Sequence, residues 1–134
     1  MLNHELLNDL KVRTVDEFEE EFDRIVQRKP NSSRIFSKVL ELLDFISRDR
    51  NPDVFTKHKQ IEKPKGTQGL YAIKIKVDCN IRILFSLERD GTILLHTFEE
   101  IAGKRNTGYS PAISIAKERL KEYRRGGSHE KKRK

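Results

Sequence analysis

The chain has one cysteine, Cys79, among its 134 residues, so no internal disulfide framework can hold it and packing must do so instead. Tryptophan is absent and aromatic residues make up only 7% of the chain, so any core must be largely aliphatic. Long apolar runs are missing too. The longest, residues 81–87, is broken by Arg82 and falls well short of the ~20 residues that cross a bilayer. The first residues, Met-Leu-Asn-His-Glu, have no basic segment leading into an apolar one, so no secretory signal and a cytoplasmic location are expected. The phosphate-loop pattern GxxxxGK[ST], the dinucleotide pattern GxGxxG and the nucleophile turn GxSxG are all absent. His4, His58, His96, His129 and Cys79 show no metal-ligand spacing, so neither a metal nor a cofactor is expected.

What the chain does have is charge, and the charge is unevenly placed. Charged residues make up 37% and the formal net charge is +7. Residues 1–50 carry nine basic and eleven acidic side chains, whereas residues 102–134 carry eleven and three. An excess of positive charge toward one end points to a polyanionic partner, nucleic acid before membrane. A solvated basic tail is the plainer alternative. The length suits a single domain, placed here at residues 1–127, with residues 128–134 as a hydrophilic basic tail expected to be disordered.

Apolar periodicity divides the domain into two helices, a meander and a last helix. Residues 10–14 alternate weakly and suggest an edge strand. Thr14 and Glu17 have the spacing of a capping box, and Val15, Phe18, Phe22, Ile25 and Val26 then fall on one helical face. Pro30 ends this helix. Ser32 or Ser33 can cap a second over 33–48, with Phe36, Val39, Leu40, Leu43 and Ile46 as its stripe. Beyond Asn51-Pro52 the period becomes two. Residues 70–77, 81–87 and 92–98 read as strands, reversed at Asp78-Cys79-Asn80 and at Asp90-Gly91. Ser110-Pro111 opens a final helix with Ile113, Ala116, Leu120 and Tyr123 as its buried stripe. The expected fold is therefore α+β: an antiparallel sheet, made of a three-stranded meander and an N-terminal edge strand, with helices on one face.

The residues that could carry chemistry interrupt this pattern. Lys74 and Lys76 share one face of their strand, away from Tyr71, Ile73 and Ile75, and Arg82 opposes Ile81 and Ile83 on the next. Cations within apolar strands need solvent or an anionic ligand, and the planar fork of Arg82 suits a phosphate. A wet outer face with snorkelling lysine stems is the alternative for the two lysines. His96 shares the alternation of Leu94 and Phe98, and is either a catalyst or a satisfied core histidine. Lys104 and Arg105 lie in a basic loop running through Tyr109 to a helix start, a plausible anion site. Tyr109 could stack on a base or pack on the core. Lys57 and His58, with Lys59, Lys63 and Lys65, add positive charge before the sheet.

Three blocks in this order resemble the phage-associated, HigB-like branch of the RelE/ParE toxin superfamily. They are Val15-Asp16-Glu17-Phe18 leading into two helices; Gly69-Leu70-Tyr71-Ala72-Ile73-Lys74-Ile75 followed by Ile81-Arg82-Ile83-Leu84-Phe85; and Ile93-Leu94-Leu95-His96-Thr97-Phe98, a basic turn, Ser110-Pro111 and a helix with Ala116, Arg119 and Leu120. The resemblance covers about residues 10–125. It implies a RelE-like fold and a cofactor-independent mRNA endoribonuclease, a toxin acting at the ribosome to inhibit translation and arrest growth. It further implies a cognate antitoxin, expected to be a helix-turn-helix protein. The catalytic roles would fall to Lys74, Arg82, His96, Lys104 and Arg105, with Lys57, His58, Lys76 and Tyr109 binding RNA. Where relatives usually continue the phenylalanine with two lysines, this chain has Glu99-Glu100. A gyrase-poisoning protein and a non-catalytic RNA-binding module on the same fold are the competing readings.

Overall fold

The computed structural model describes residues 2–103 and 108–126. Along the chain run α1 (His4–Asp9), β1 (Val12–Thr14), α2 (Phe18–Val26), α3 (Ser32–Arg48), α4 (Pro52–Phe55), β2 (Ile61–Glu62), β3 (Tyr71–Ile75), β4 (Ile81–Glu88), β5 (Gly91–Glu99) and α5 (Tyr109–Arg124). The strands form one open sheet in the order β1-β5-β4-β3-β2. The α+β class and the β3–β4–β5 meander match the sequence pattern. The basic tail assigned to residues 128–134 lies outside the described residues.

The sheet is mixed, which corrects the antiparallel expectation. β2 to β5 pair antiparallel, but β1 runs parallel to β5, with Val12 opposite Thr92 and Thr14 opposite Leu94. Alternation reports which face a side chain takes and carries no information on strand direction. The sequence also gave no sign of α1, α4 or β2. Each is at most six residues long, too short to establish a period.

Helices cover both faces rather than one, a second correction. On the first face Phe18, Phe22, Val26, Ile35, Val39, Leu42, Leu43 and Ile46 of α2 and α3 pack on Ile73, Ile75, Ile81, Ile83, Phe85 and Leu94. On the second, Ala112, Ala116 and Leu120 of α5 pack on Ala72, Leu84, Ile93 and Leu95. The central strands are thus apolar on both sides, and the small α5 residues let that helix lie close to the sheet. The buried stripe of α3 is rotated from the one expected: Ile35 and Leu42 are buried, while Phe36 and Leu40 pack at its margin.

The helix starts also differ from the motif reading. Thr14 belongs to β1, and α2 begins after Glu17 without a side-chain cap. Asn31, not Ser32 or Ser33, occupies the cap position of α3, again without a capping side-chain bond. α5 begins at Tyr109, two residues before Pro111, which still falls in the first turn, where its missing N–H has no intrahelical partner to lose.

Between Leu84 and Phe85 the β4–β5 register shifts: Leu84 faces His96, but Phe85 faces Leu94, leaving Leu95 as the extra residue. Such a bulge reverses the parity of all that follows it. His96 and Phe98 therefore do not share a face with Leu94, which points into the first core. They stand on the α5 face with Arg82, Leu84 and Lys74.

The β4–β5 turn is held from two sides. Arg50, just past α3, donates from Nη2 to the carbonyls of Glu88 at 2.6 Å and Gly91 at 2.9 Å. On the other side the Thr92 amide donates to the Lys11 carbonyl at 2.9 Å, and Lys11 itself has φ +58°. A β-carbon on Gly91 would stand 2.3 Å from that carbonyl oxygen, a backbone atom that cannot rotate away. Gly91→Ala should therefore part β1 from β5 and cost about 1–3 kcal/mol, the range for overpacking, read as a lower urea midpoint with an unchanged slope.

Candidate anion site on the α5 face of the sheet

β3 and β4 bring Lys74 and Arg82 directly opposite each other, and Phe98 stands opposite Arg82 on β5. The start of α5 then closes over them. The Arg82 guanidinium lies over the Tyr109 ring, 5.8 Å from its centroid, and Tyr109 meets Phe98 edge-to-face at 5.8 Å. Lys74, Arg82 and Tyr109, singled out separately in the sequence, thus form one cluster.

Two carboxylates that the sequence reading did not pick complete it. Glu62 on β2 accepts from the Tyr109 hydroxyl at 2.5 Å and pairs with Lys74 Nζ at 3.3 Å. Glu100, just past β5, accepts from Arg82 Nη2 at 2.7 Å. Burial alone would raise the Glu62 pKa, but the bonds from Tyr109 and Lys74 and the Arg82 charge outweigh it and hold the carboxyl below its usual value. Burial, reinforced by the Glu62 charge, pushes the Tyr109 phenol well above its usual value despite the opposing pull of Arg82. At neutral pH this pair is therefore a carboxylate and a protonated phenol.

Arg82 is incompletely satisfied. Its side chain is 11% exposed, and Nε and Nη1 are buried without a hydrogen-bond partner among the described residues. Buried donors are nearly always paired in folded proteins, so two orphans on one cation are a departure that asks for a ligand.

The remaining candidates are dispersed. Lys76 is exposed beyond the end of β3, and Lys57 is exposed after α4. His58 packs edge-on against Phe45 of α3 at 5.1 Å, and its Nδ1 accepts from the Gln60 amide at 3.1 Å, so it belongs to the first face. Lys104 and Arg105 lie outside the described residues. Among the described residues no group of three His, Cys, Asp or Glu side chains is placed to hold a metal ion, and no helix is long and apolar enough to cross a membrane.

His96 adjoins the cluster through its ring, which stacks on Phe98 at 5.9 Å, but its polar edge is engaged elsewhere. Glu21 of α2 places Oε1 3.1 Å from His96 Nδ1, and Arg119 of α5 donates to both Glu21 oxygens, at 2.9 and 2.7 Å, and to the Leu95 carbonyl at 3.0 Å. This half-buried group ties α2, β5 and α5 together.

The flanks of α5 carry opposite charge. A groove of about 660 Å³ between residues 14–17 and α5 is lined by Asp16, Glu17, Glu118 and Glu122, with Arg119 as its one cation. A second, of about 410 Å³ between residues 68–70 and α5, is lined by Lys117, Lys121, Arg124 and Arg125. The larger groove repels a polyanion, and the smaller attracts one. No family model matches the chain, and neither a curated protein nor a solved structure matches it.

Glu21 generates a pH prediction. Burial would raise its pKa, but the bonds with His96 and Arg119 win and lower it from 4.5 to about 2. A depressed folded-state value stabilises the protein above the unfolded pKa, and that contribution is lost as pH falls from about 4.5 through about 2. Wild-type stability should drop across this window in chemical denaturation, with a shallower drop for Glu21→Gln. Arg119→Ala should cost roughly 2–3 kcal/mol at neutral pH, somewhat below the penalty for breaking a fully buried pair.

Proposed function

We propose that the chain is a metal-independent endoribonuclease toxin of the RelE/HigB type, with its phosphodiester site at Arg82, Lys74 and Tyr109. The observation that carries this reading is the incompletely satisfied Arg82 guanidinium, a rigid donor fork beside a second cation and a stacking ring. Guanidinium N–H groups match phosphate oxygens in geometry and charge.

In this reading Arg82 holds the scissile phosphate and stabilises charge developing on its oxygens. The nucleophile is the 2′-OH of the substrate, its oxygen bonding to phosphorus while the bond to the 5′-oxygen breaks. Glu62, kept ionised, is the acceptor for the 2′ proton. Tyr109 remains protonated and holds Glu62 in place, and Lys74, paired with Glu62, gives the departing 5′-oxygen its proton. The products are a 2′,3′-cyclic phosphate and a 5′-hydroxyl, with no redox step or cofactor. His96, engaged by Glu21 and Arg119, serves as a fastener of α5 rather than as an acid or base. Lys117 and Lys121 on the basic flank of α5 extend the track for the RNA backbone, with Lys57 and Lys76 as outlying contacts. The partners in this proposal are mRNA, the ribosome and a cognate antitoxin, in the cytoplasm.

A second reading, RNA binding without cleavage, is favoured by the pairing of both sheet-face cations with Glu62 and Glu100. Induced expression separates the two. The wild-type chain should arrest growth and create new 5′ ends on mRNA in primer extension, and Arg82→Lys, which keeps the charge and removes the fork, should lower cleavage about 10²–10³-fold. Protected footprints without new ends would favour the binding module. Arrest by Arg82→Lys equal to that of wild type, with signs of DNA damage, would favour a gyrase poison.

The basic flank gives an independent test. The double variant Lys117→Ala, Lys121→Ala should weaken binding of single-stranded RNA and lessen the slope of log affinity against log salt by about 1–1.5, as expected for two lost phosphate contacts. An unchanged slope would remove this flank from the RNA path.

A further inference from the structure

We infer that Glu100 is an internal stand-in for the RNA phosphate, a carboxylate that occupies the Arg82 site and sets its affinity by competing with the ligand. The inference rests on the phosphodiester reading and goes beyond it by naming what fills the site at rest.

Four observations converge on Glu100. Its carboxylate takes one N–H of Arg82 while Nε and Nη1 have no partner among the described residues, so the pair leaves the guanidinium underused. The partner is unlike Arg82 in exposure: the Glu100 side chain is 41% exposed and that of Arg82 11%. A buried cation is therefore met by an acid standing at the surface, which can swing out without unfolding anything. Glu100 also lies beside the start of α5, where a β-carbon on Gly108 would meet its Oε2 at 3.9 Å and no side chain among the described residues caps the helix. A negative group between a guanidinium and the first turn of a long helix is where a phosphate would be most favoured. The neighbouring Glu99 differs, since it pairs with Lys29 at 2.6 Å, and the two side chains are similarly buried.

Exchange is feasible because Glu100 stands at the surface and a phosphate oxygen takes its place, so the buried Arg82 charge is never left without a partner. A phosphodiester offers two charged oxygens to a planar fork: one replaces Glu100 at Nη2, and a shift of the side chain brings a second N–H, buried at rest, to the other. Resting neutrality at Arg82 also disfavours weak anions, because any ligand must first displace a carboxylate already in place.

The test measures binding apart from cleavage. The probe is a fluorescent oligouridylate of about twelve nucleotides with 2′-O-methyl sugars, which lacks the nucleophile, titrated by anisotropy onto the full chain. Glu100→Gln keeps the shape and removes the charge. It should bind about three- to tenfold tighter than wild type, while Glu99→Gln, with the same change in net charge, stays near wild type. Arg82→Met, which retains the apolar stem, should bind more weakly, and adding Glu100→Gln to it should restore nothing. Wild-type affinity in Glu100→Gln, or a gain of the same size in the Arg82→Met background, would overturn the inference. If Arg82→Met weakens binding in that case, the phosphodiester reading stands without Glu100. If Arg82→Met binds like wild type, that reading falls as well.

Discussion

Arg82 stands in the layer between the sheet and α5, and a cation there must be compensated on every side. Leu84, Leu95 and Ala112 make this layer an apolar core, in which an unpaired charge would be strongly disfavoured. The compensation comes from three directions: the Tyr109 ring face, the Glu100 carboxylate and the charge of the Glu62 carboxylate, which also pairs with Lys74. Each contributes modestly by itself. Their geometry matters more than their sum, because it leaves Nε and Nη1 free of partners among the described residues. A fully satisfied arginine would be a structural pin. This one retains donors that are buried at rest, so a ligand uses them only by displacing a neighbour.

The position of α5 decides whether Tyr109 reaches Arg82 at all. That helix meets the sheet mainly through small and medium side chains, Ala112, Ala116 and Leu120, so its apolar contact is modest and its register needs a polar fastener. Glu21, Arg119 and His96 supply it. Arg119 spans from α5 to the Leu95 carbonyl, inside the β5 bulge, and to both oxygens of Glu21. Arg119 and Tyr109 lie ten residues apart on one helix, about 15 Å along its axis. Fixing one end of a rigid rod fixes the other. His96 thus bears on the candidate anion site through the placement of α5, even though its own polar edge is turned away.

The periods of the sequence were enough for α2, α3, α5 and the meander, and they separated Lys74 and Arg82 from Ile73 and Ile83. Three features carried no such signal. The direction of β1 is invisible to alternation, which is the same up or down a strand. The bulge at Leu95 inverts parity within a run of apolar residues that gives no sign of it, so His96 seemed to face the same way as Leu94. The partners of the cations lie far off in the chain: Glu62 is 47 residues from Tyr109, and Glu21 is 98 from Arg119. Glu62 sits on a two-residue strand within a stretch that reads as loop, and Glu100 follows the last strand as one of two adjacent acids. Composition could show that the chain is basic. Pairing decides which of its cations have capacity left, and pairing belongs to the fold.

That distinction changes how the net charge of +7 should be understood. A uniformly basic surface would attract RNA anywhere, but α5 divides its surroundings into an acidic flank with Glu118 and Glu122 and a basic one with Lys117 and Lys121. Residues 117 and 121 are one turn apart, as are 118 and 122, so adjacent stripes of a single helix produce the division. A polyanion drawn to the basic stripe is repelled by its neighbour and is confined to the side of α5 that faces residues 68–70, the approach to β3 and Lys74. The acidic residues of this helix therefore contribute to the proposed RNA path as much as the basic ones: the lysines supply attraction, and the glutamates give it a direction.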